Sequence, residues 1–164
     1  MKPCMGKKIH LTFVKEGVSA QAELLFDKAP ATAQMIWDIL ATPMENMAIH
    51  AMFTGRELSF GVLNERMDEN TVFVLPSENQ TMFPLPGDLI WNAYRPYQWL
   101  GTPKAVYDFG IFYGSESRIL LPTGWRPSNH FGSIVPKDLP DFAHVCARCQ
   151  SEGVKLMRIE RIME

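Results

Sequence analysis

Charge of one sign is what this chain most clearly lacks. Sixteen Lys and Arg stand against eighteen Asp and Glu, a formal net charge of −2, with both signs spread along 164 residues. A nucleic-acid partner needs a basic face to neutralise phosphates, and Lys7-Lys8 is too small a cluster to supply one, so that class is excluded. No apolar run approaches the roughly 20 residues that span a bilayer, so no membrane partner is expected. The opening MKPCMGKKIH lacks the apolar centre of a secretory leader. Three cysteines, an odd number, do not build a disulfide framework, and the chain reads as cytoplasmic. No paired histidines, no GxSxG and no phosphate-cradling glycine motif occur, so neither a metal nor a cofactor is expected.

What the chain does have is concentrated between Phe83 and Val135. Three of its four Trp, all four Tyr, three Arg and a His fall there, among glycines and prolines. Aromatics with polar handles beside arginines in turns suit a recognition surface better than a core. Ten Met fit irregular core gaps or adaptable surfaces, and twelve Pro fit short strands joined by shaped loops.

The hydropathy pattern gives the elements. Ile9, Leu11 and Phe13 alternate with polar or exposed positions, Glu16-Gly17 turns, and Val18 to Phe26 alternates again, which is a hairpin. Pro30 opens a helix carrying Ala33, Ile36, Trp37 and Leu40 on one face, ended by Thr42-Pro43. Met47 to Phe53 and Leu58 to Val62 read as paired strands, Asn64 to Asn70 as a polar loop, and Val72 to Leu75 as a short strand. Asp88–Trp91, Val106–Tyr113, Arg118–Leu121 and Phe131–Val135 are further short β-rich segments. Leu139, Phe142, Val145, Cys146 and Cys149 mark a second helix, with Asp138 as N-cap and Gly153 as its stop. Val154 to Ile162 is a last strand. Many short strands with two helices imply one domain over residues 1–164, mainly β, a closed antiparallel barrel capped by the helices.

That order, with the PATA helix start and the final LPDF…C…EGVKL unit, resembles the cyclophilin-like fold. PGDLIWNAY, DFGIFYG and GWRPSNHFGSI are similar to uncharacterised bacterial single-domain cyclophilin-like proteins, a domain-of-unknown-function group. The resemblance covers nearly the whole chain. It implies a cyclophilin-like β-barrel and assigns no chemistry. Prolyl isomerases carry an FHR strand segment followed by a QGGD loop; here HAMFTGRELSF holds His50, Phe53 and Arg56 in another order, and no such loop follows. The resemblance therefore does not carry over the isomerase activity.

Two loops carry the candidate site. In Gly124–His130, Arg126 offers a planar fork for a carboxylate, Trp125 an apolar wall, and Asn129 and His130 donors and acceptors. The alternative is structural: an arginine bonding loop carbonyls and a histidine capping a strand. In Tyr94–Trp99, arginine beside aromatics suits either a planar ligand or an interface between copies built on Tyr94, Tyr97 and Trp99, and the composition favours the interface. Arg56 could face a ligand, while Glu57, its neighbour on the opposite side of a strand, reads as exposed. Tyr113 reads as a core or interface tyrosine, His10 and His50 as solvent-facing strand residues, and Cys146 and Cys149 as buried core thiols.

The expected function is binding of a small carboxylate- or amide-type metabolite in a pocket on the barrel flank. Trp125, Arg126, Asn129, Arg56 and Tyr94 would line it. His130 would be the acid or base if the ligand is hydrolysed or undergoes elimination. The alternatives are a non-catalytic oligomerisation or interaction module and, third, a prolyl isomerase.

Overall fold

A computed structural model describes residues 6–163. Cys4 and the first half of the opening stretch, read above for its lack of a leader, lie outside the described residues. β1 (Lys8–Phe13) and β2 (Val18–Leu24) form the expected hairpin, with Phe13 opposite Val18. Its turn ends on Gly17 at φ 67°, a backbone region that L side chains disfavour. Ile9, Leu11 and Phe13 are fully buried, as are Ala20 and Ala22 opposite them, so the alternation marks the inward face correctly.

Helix α1 (Pro30–Ile39) starts at Pro30 and buries Ala33 and Ile36. Strand β3 (Met44–His50) begins three residues earlier than the pattern implied and stops at His50. After it come β4 (Glu57–Gly61) and a short helical region. The expected loop over Asn64–Asn70 holds a 3-10 turn at Asn64–Arg66 and the start of a one-turn helix α2 (Glu69–Val72). Asp68 nucleates that turn, its carboxylate accepting from Asn70 N and Thr71 Oγ1. So the described residues hold three α-helices rather than two, and the strand expected at Val72–Leu75 does not form.

β5 (Gln80–Thr81), β6 (Asp88–Tyr94), β7 (Val106–Phe112), the small β8–β9 pair (Leu120–Leu121 and Gly124–Trp125) and β10 (Ser128–Ile134) follow. The chain then runs through α3 (Leu139–Glu152) to β11 (Lys155–Ile162). Gly153 stops α3 at φ 87°. Asp138 does not cap α3 through its side chain; its carboxylate accepts from Gln21 N at 2.9 Å instead, tying the helix to β2.

The strand order β2-β1-β11-β3-β4-β7-β6-β10 returns to β2 through the β10–β2 pairing, and every neighbour is antiparallel. This is the closed antiparallel barrel expected from the sequence. Inside it Phe13, Phe60, Phe109, Phe131 and Phe142 form the bulk of the core. Cys146 and Cys149 are buried there as expected, and burial pushes both thiols up, which disfavours thiolate chemistry. Among the described residues no helix is long and apolar enough to cross a membrane.

One stretch of wall is buried on both faces. On β4, β7 and β6, Leu58, Phe60, Phe109, Ile111, Leu89 and Trp91 point into the core. The alternate positions Glu57, Ser59, Asp108, Gly110, Ile90, Asn92 and Tyr94 lie on the outer face. Ile90 and Phe112 are buried there with Ile119 in a separate apolar cluster. The outer face of this wall is therefore covered by loops.

Candidate functional site

Three segments close over that outer face. The chain from Ala51 to Arg56 is stitched to the segment around Ser117: Arg118 N donates to Thr54 O at 2.9 Å, and Arg56 N to Ser117 Oγ at 3.2 Å. Gly55, at φ 100°, lets the two backbones touch, since a Cβ there would sit 3.2 Å from Ser117 Cα. The third segment is the loop from Arg95 to Ala105, whose Trp99 ring packs 4.9 Å from Tyr94. Between these loops and the sheet lies a cavity of about 300 Å³. Ile49, Met52, Phe53, Trp99, Ile119 and Leu121 give it apolar walls, and Thr54, Glu57, Ser59, Asn92, Tyr94 and Asp108 bring polar groups to it. No Lys or Arg is among these lining residues.

The polar groups are organised by the strand register. Asn92 lies directly opposite Asp108, and Ser59 opposite Gly110. Asp108 accepts from the Ser59 hydroxyl, and the Asn92 amide across the ladder also favours its charged form. Asn92 in turn accepts from Ser128 Oγ at 2.6 Å, so β10 fixes the amide that holds the carboxylate. Glu57 is 4% exposed. Its Oε2 accepts from Thr54 Oγ1, while its Oε1, over Gly110, has no hydrogen-bond partner among the described residues. Gly110 leaves the carboxyl its place, because a Cβ at that position would overlap Glu57 Oε1 and force it to shift.

Both carboxyls are held above the ordinary carboxylate range. Burial raises Glu57 most, the Asp108 charge adds to it, and the Thr54 hydrogen bond only partly offsets them, leaving Glu57 at about 8. Burial also raises Asp108, but the Ser59 and Asn92 donors oppose it and leave it lower, at about 6. Mutual repulsion disfavours ionising both carboxyls at once, and the donor on Asp108 makes it the readier of the two to carry the charge. Tyr94 is raised as well, chiefly by burial.

The residues singled out in the sequence are distributed around this cavity rather than gathered in it. Tyr94 lines it. Arg126 backs it: its guanidinium sits 4.3 Å from the Tyr94 ring centre and donates to Ala93 O at 2.7 Å. The two aromatic loops do meet in space, with Arg126 and Ser128 contacting Ala93, Tyr94 and Asn92. Arg126 and Asn129 also border a shallower cavity of about 170 Å³ near Phe73 and Gln80. Asn129 is fully engaged there. It accepts from Glu78 N and Gln80 Nε2 and donates to Thr32 Oγ1 and Pro76 O.

Trp125 is half exposed and packs on Phe83. His130 lines neither cavity; its Nε2 faces Gly132 O, Ser133 Oγ and Asp88 Oδ1. Arg56 points outward, donating to Ser115 Oγ. Tyr97 is exposed, whereas Trp99 turns toward the cavity.

Glu57 is a correction: it is buried and Arg56 is the exposed member of the pair. The alternation placed it opposite Leu58 correctly. What it could not show is that residues 114–121 cover that side. His50 is a second one, since it is half-buried rather than solvent-facing. Its Nδ1–H donates to Ala51 O and its Nε2 accepts from the Tyr113 hydroxyl at 2.8 Å. A legible signal for two of the missed positions did exist: Ser59 and Asp108 are polar positions flanked by apolar or aromatic ones in strands that carry glycine, whereas Glu57 follows Arg56 and carries no such signal.

Comparison with known proteins agrees with the architecture. A model of the family described as "Protein of unknown function (DUF3830)" matches residues 11–160, and the chain belongs to that family. A search of curated proteins found no match. Among solved structures the chain is similar to McbB in complex with tryptophan, at TM-score 0.63 and 19% identity over 95% of this chain. It spans only 45% of the McbB chain. It is also similar to the hypothetical protein AF2241 from Archaeoglobus fulgidus, at TM-score 0.55 and 19% identity, over 99% of this chain and 100% of that one.

Proposed function

We propose that this member of the DUF3830 family is a cytoplasmic small-molecule-binding protein. Its ligand is an apolar-bodied amide-type compound held in the flank cavity. One observation carries the reading: Glu57, buried and with one oxygen unpartnered among the described residues, lines the same largely apolar cavity as Asp108, whose charge it feels. A protonated acid beside a carboxylate presents one donor and one acceptor side by side. An amide offers the complement, its carbonyl accepting from Glu57 and its N–H donating to Asp108. A carboxylate ligand fits less well, because Asp108 repels it and no Lys or Arg in the lining offsets that. Of the two ligand classes expected from the sequence, the amide is therefore favoured. Arg126 supports the site from behind Tyr94 and does not hold the ligand's charge.

Thermal denaturation with oxindole, a bicyclic amide, and phenylacetate, a matched acid, tests this. Tryptophan, the ligand in the McbB structure, serves as a third probe because it pairs an aromatic body with a carboxylate. Oxindole should stabilise the protein saturably, and Asp108→Asn should weaken that effect about tenfold or more in dissociation constant, the equivalent of about 1.4 kcal/mol. Equal stabilisation by phenylacetate, or an oxindole effect unchanged in Asp108→Asn, would sink the reading.

The interaction-module reading keeps less support. Tyr94 and Trp99 are turned to the cavity, which leaves Tyr97 and Leu100 exposed for a second copy. A concentration-independent monomer in sedimentation would end it. Prolyl isomerisation is left without an arginine in the cavity.

A further inference from the structure

The donor and acceptor that recognise an amide are also an acid and a base on one floor. Asp108 accepts from the neutral Ser59 hydroxyl and lies opposite Asn92, so it retains lone pairs that can accept a proton. Glu57 Oε1 has no hydrogen-bond partner among the described residues, and Glu57 lines the cavity in which the amide reading places the ligand's carbonyl. The apolar walls limit water around both groups, which sharpens proton transfer and disfavours hydrolysis. Hydrolysis would need a positioned water, whereas a proton shift needs only the two carboxyls.

We infer that the flank cavity catalyses a 1,3-proton shift in an enolisable carbonyl compound, with Asp108 as base and Glu57 as acid. This rests on the ligand reading above. The substrate has an H–X–C=O group, where X is carbon or nitrogen, on an apolar body. Asp108 takes the proton from X. The X–H bonding pair becomes the X=C double bond, the C=O π pair moves to oxygen, and that oxygen takes the Glu57 proton. The product is the enol or its nitrogen counterpart. Asp108 is left protonated and Glu57 ionised, and return of one proton from Asp108 to Glu57 resets the pair without any co-reactant. Asn92 and Ser59 are positioning residues, and Ser128 acts through Asn92.

The probe is 2-indanone in D2O, a neutral bicyclic ketone with acidic C–H groups beside its carbonyl. Proton NMR reads loss of those C–H signals, and a separate titration reads binding. The protein should accelerate exchange saturably over buffer. Asp108→Asn should lower the rate about a hundredfold or more, and Glu57→Gln should lower it while 2-indanone still binds. The rate should rise as Asp108 ionises and fall as Glu57 does. The other titratable groups facing the pair are His50 on β3 and Tyr94 on β6, with Arg126 behind Tyr94. His50→Gln, outside the carboxyl pair, should therefore keep the bell shape.

Binding of 2-indanone with exchange at the buffer rate would overturn the inference and leave the ligand reading standing. Exchange that persists in Asp108→Asn would overturn it as well. Failure of both oxindole and 2-indanone to bind would remove the ligand reading and the inference together.

Discussion

Glu57 and Gly110 form one unit at the level of single residues. The glycine, paired with Ser59, leaves room for the Glu57 carboxyl that leans over it from two positions along β4. Gly110→Ala should cost about 1–3 kcal/mol through overpacking and should abolish oxindole binding by displacing Glu57. Urea denaturation and the oxindole titration check the two parts independently. Titration gives a second expectation. Both carboxyls have folded-state pKa values above their unfolded ones, so the unfolded chain ionises first as pH rises. Their contribution to stability is intact below the ordinary value of 4.5 for Glu57, and is lost as pH climbs through its folded value of about 8. Melting temperature measured over that range should fall in the wild type and fall less in Glu57→Gln, which has no charge to acquire. An identical slope in the variant would show that Glu57 is not the titrating group. The sequence made Tyr94 visible as a site residue because an aromatic beside an arginine in a turn is conspicuous. It hid Glu57 and Asp108 because a strand's period assigns a face and says nothing about what covers it.

Elements show the same division between what local pattern carries and what distant chain supplies. α1 was legible from Pro30 and its apolar stripe, yet its first turn is completed from elsewhere. Ala29 offers no capping side chain. Glu78 accepts from Ala31 N, Thr32 N and Thr32 Oγ1 instead. Burial alone would raise Glu78, but those donors outweigh it and lower its pKa. Asn129 holds Glu78 in place and also binds Thr32 and Pro76 O, so it latches β10, α1 and the chain before β5 to one another. Asn129→Ala orphans several buried partners at once and should cost roughly 3 kcal/mol or more, with little change in oxindole affinity. A binding loss larger than the stability loss would instead place Asn129 in contact with ligand. From the sequence, Asn129 was conspicuous by its neighbours, and its partners lay up to 97 residues away. The one-turn α2 escaped for the opposite reason: four residues carry too little periodicity to be read.

For the molecule as a whole, closure of the barrel was legible because many short β-rich segments with only a few helices have few ways to bury one face each. The covering of its outside was not, since it depends on irregular loops whose shape no hydropathy period encodes. The ladder that joins the first strand to the last has a consequence of its own. Lys8 lies opposite Ile162, so the chain enters and leaves the barrel at the same point. A few residues could join Lys8 to Ile162 and make a ring of the barrel, and the ring could be opened at an exposed connection such as the one bearing Tyr97 without breaking a strand. By the same geometry the domain is a cassette: spliced into a loop of a host protein, it would ask of that host only two neighbouring attachment points.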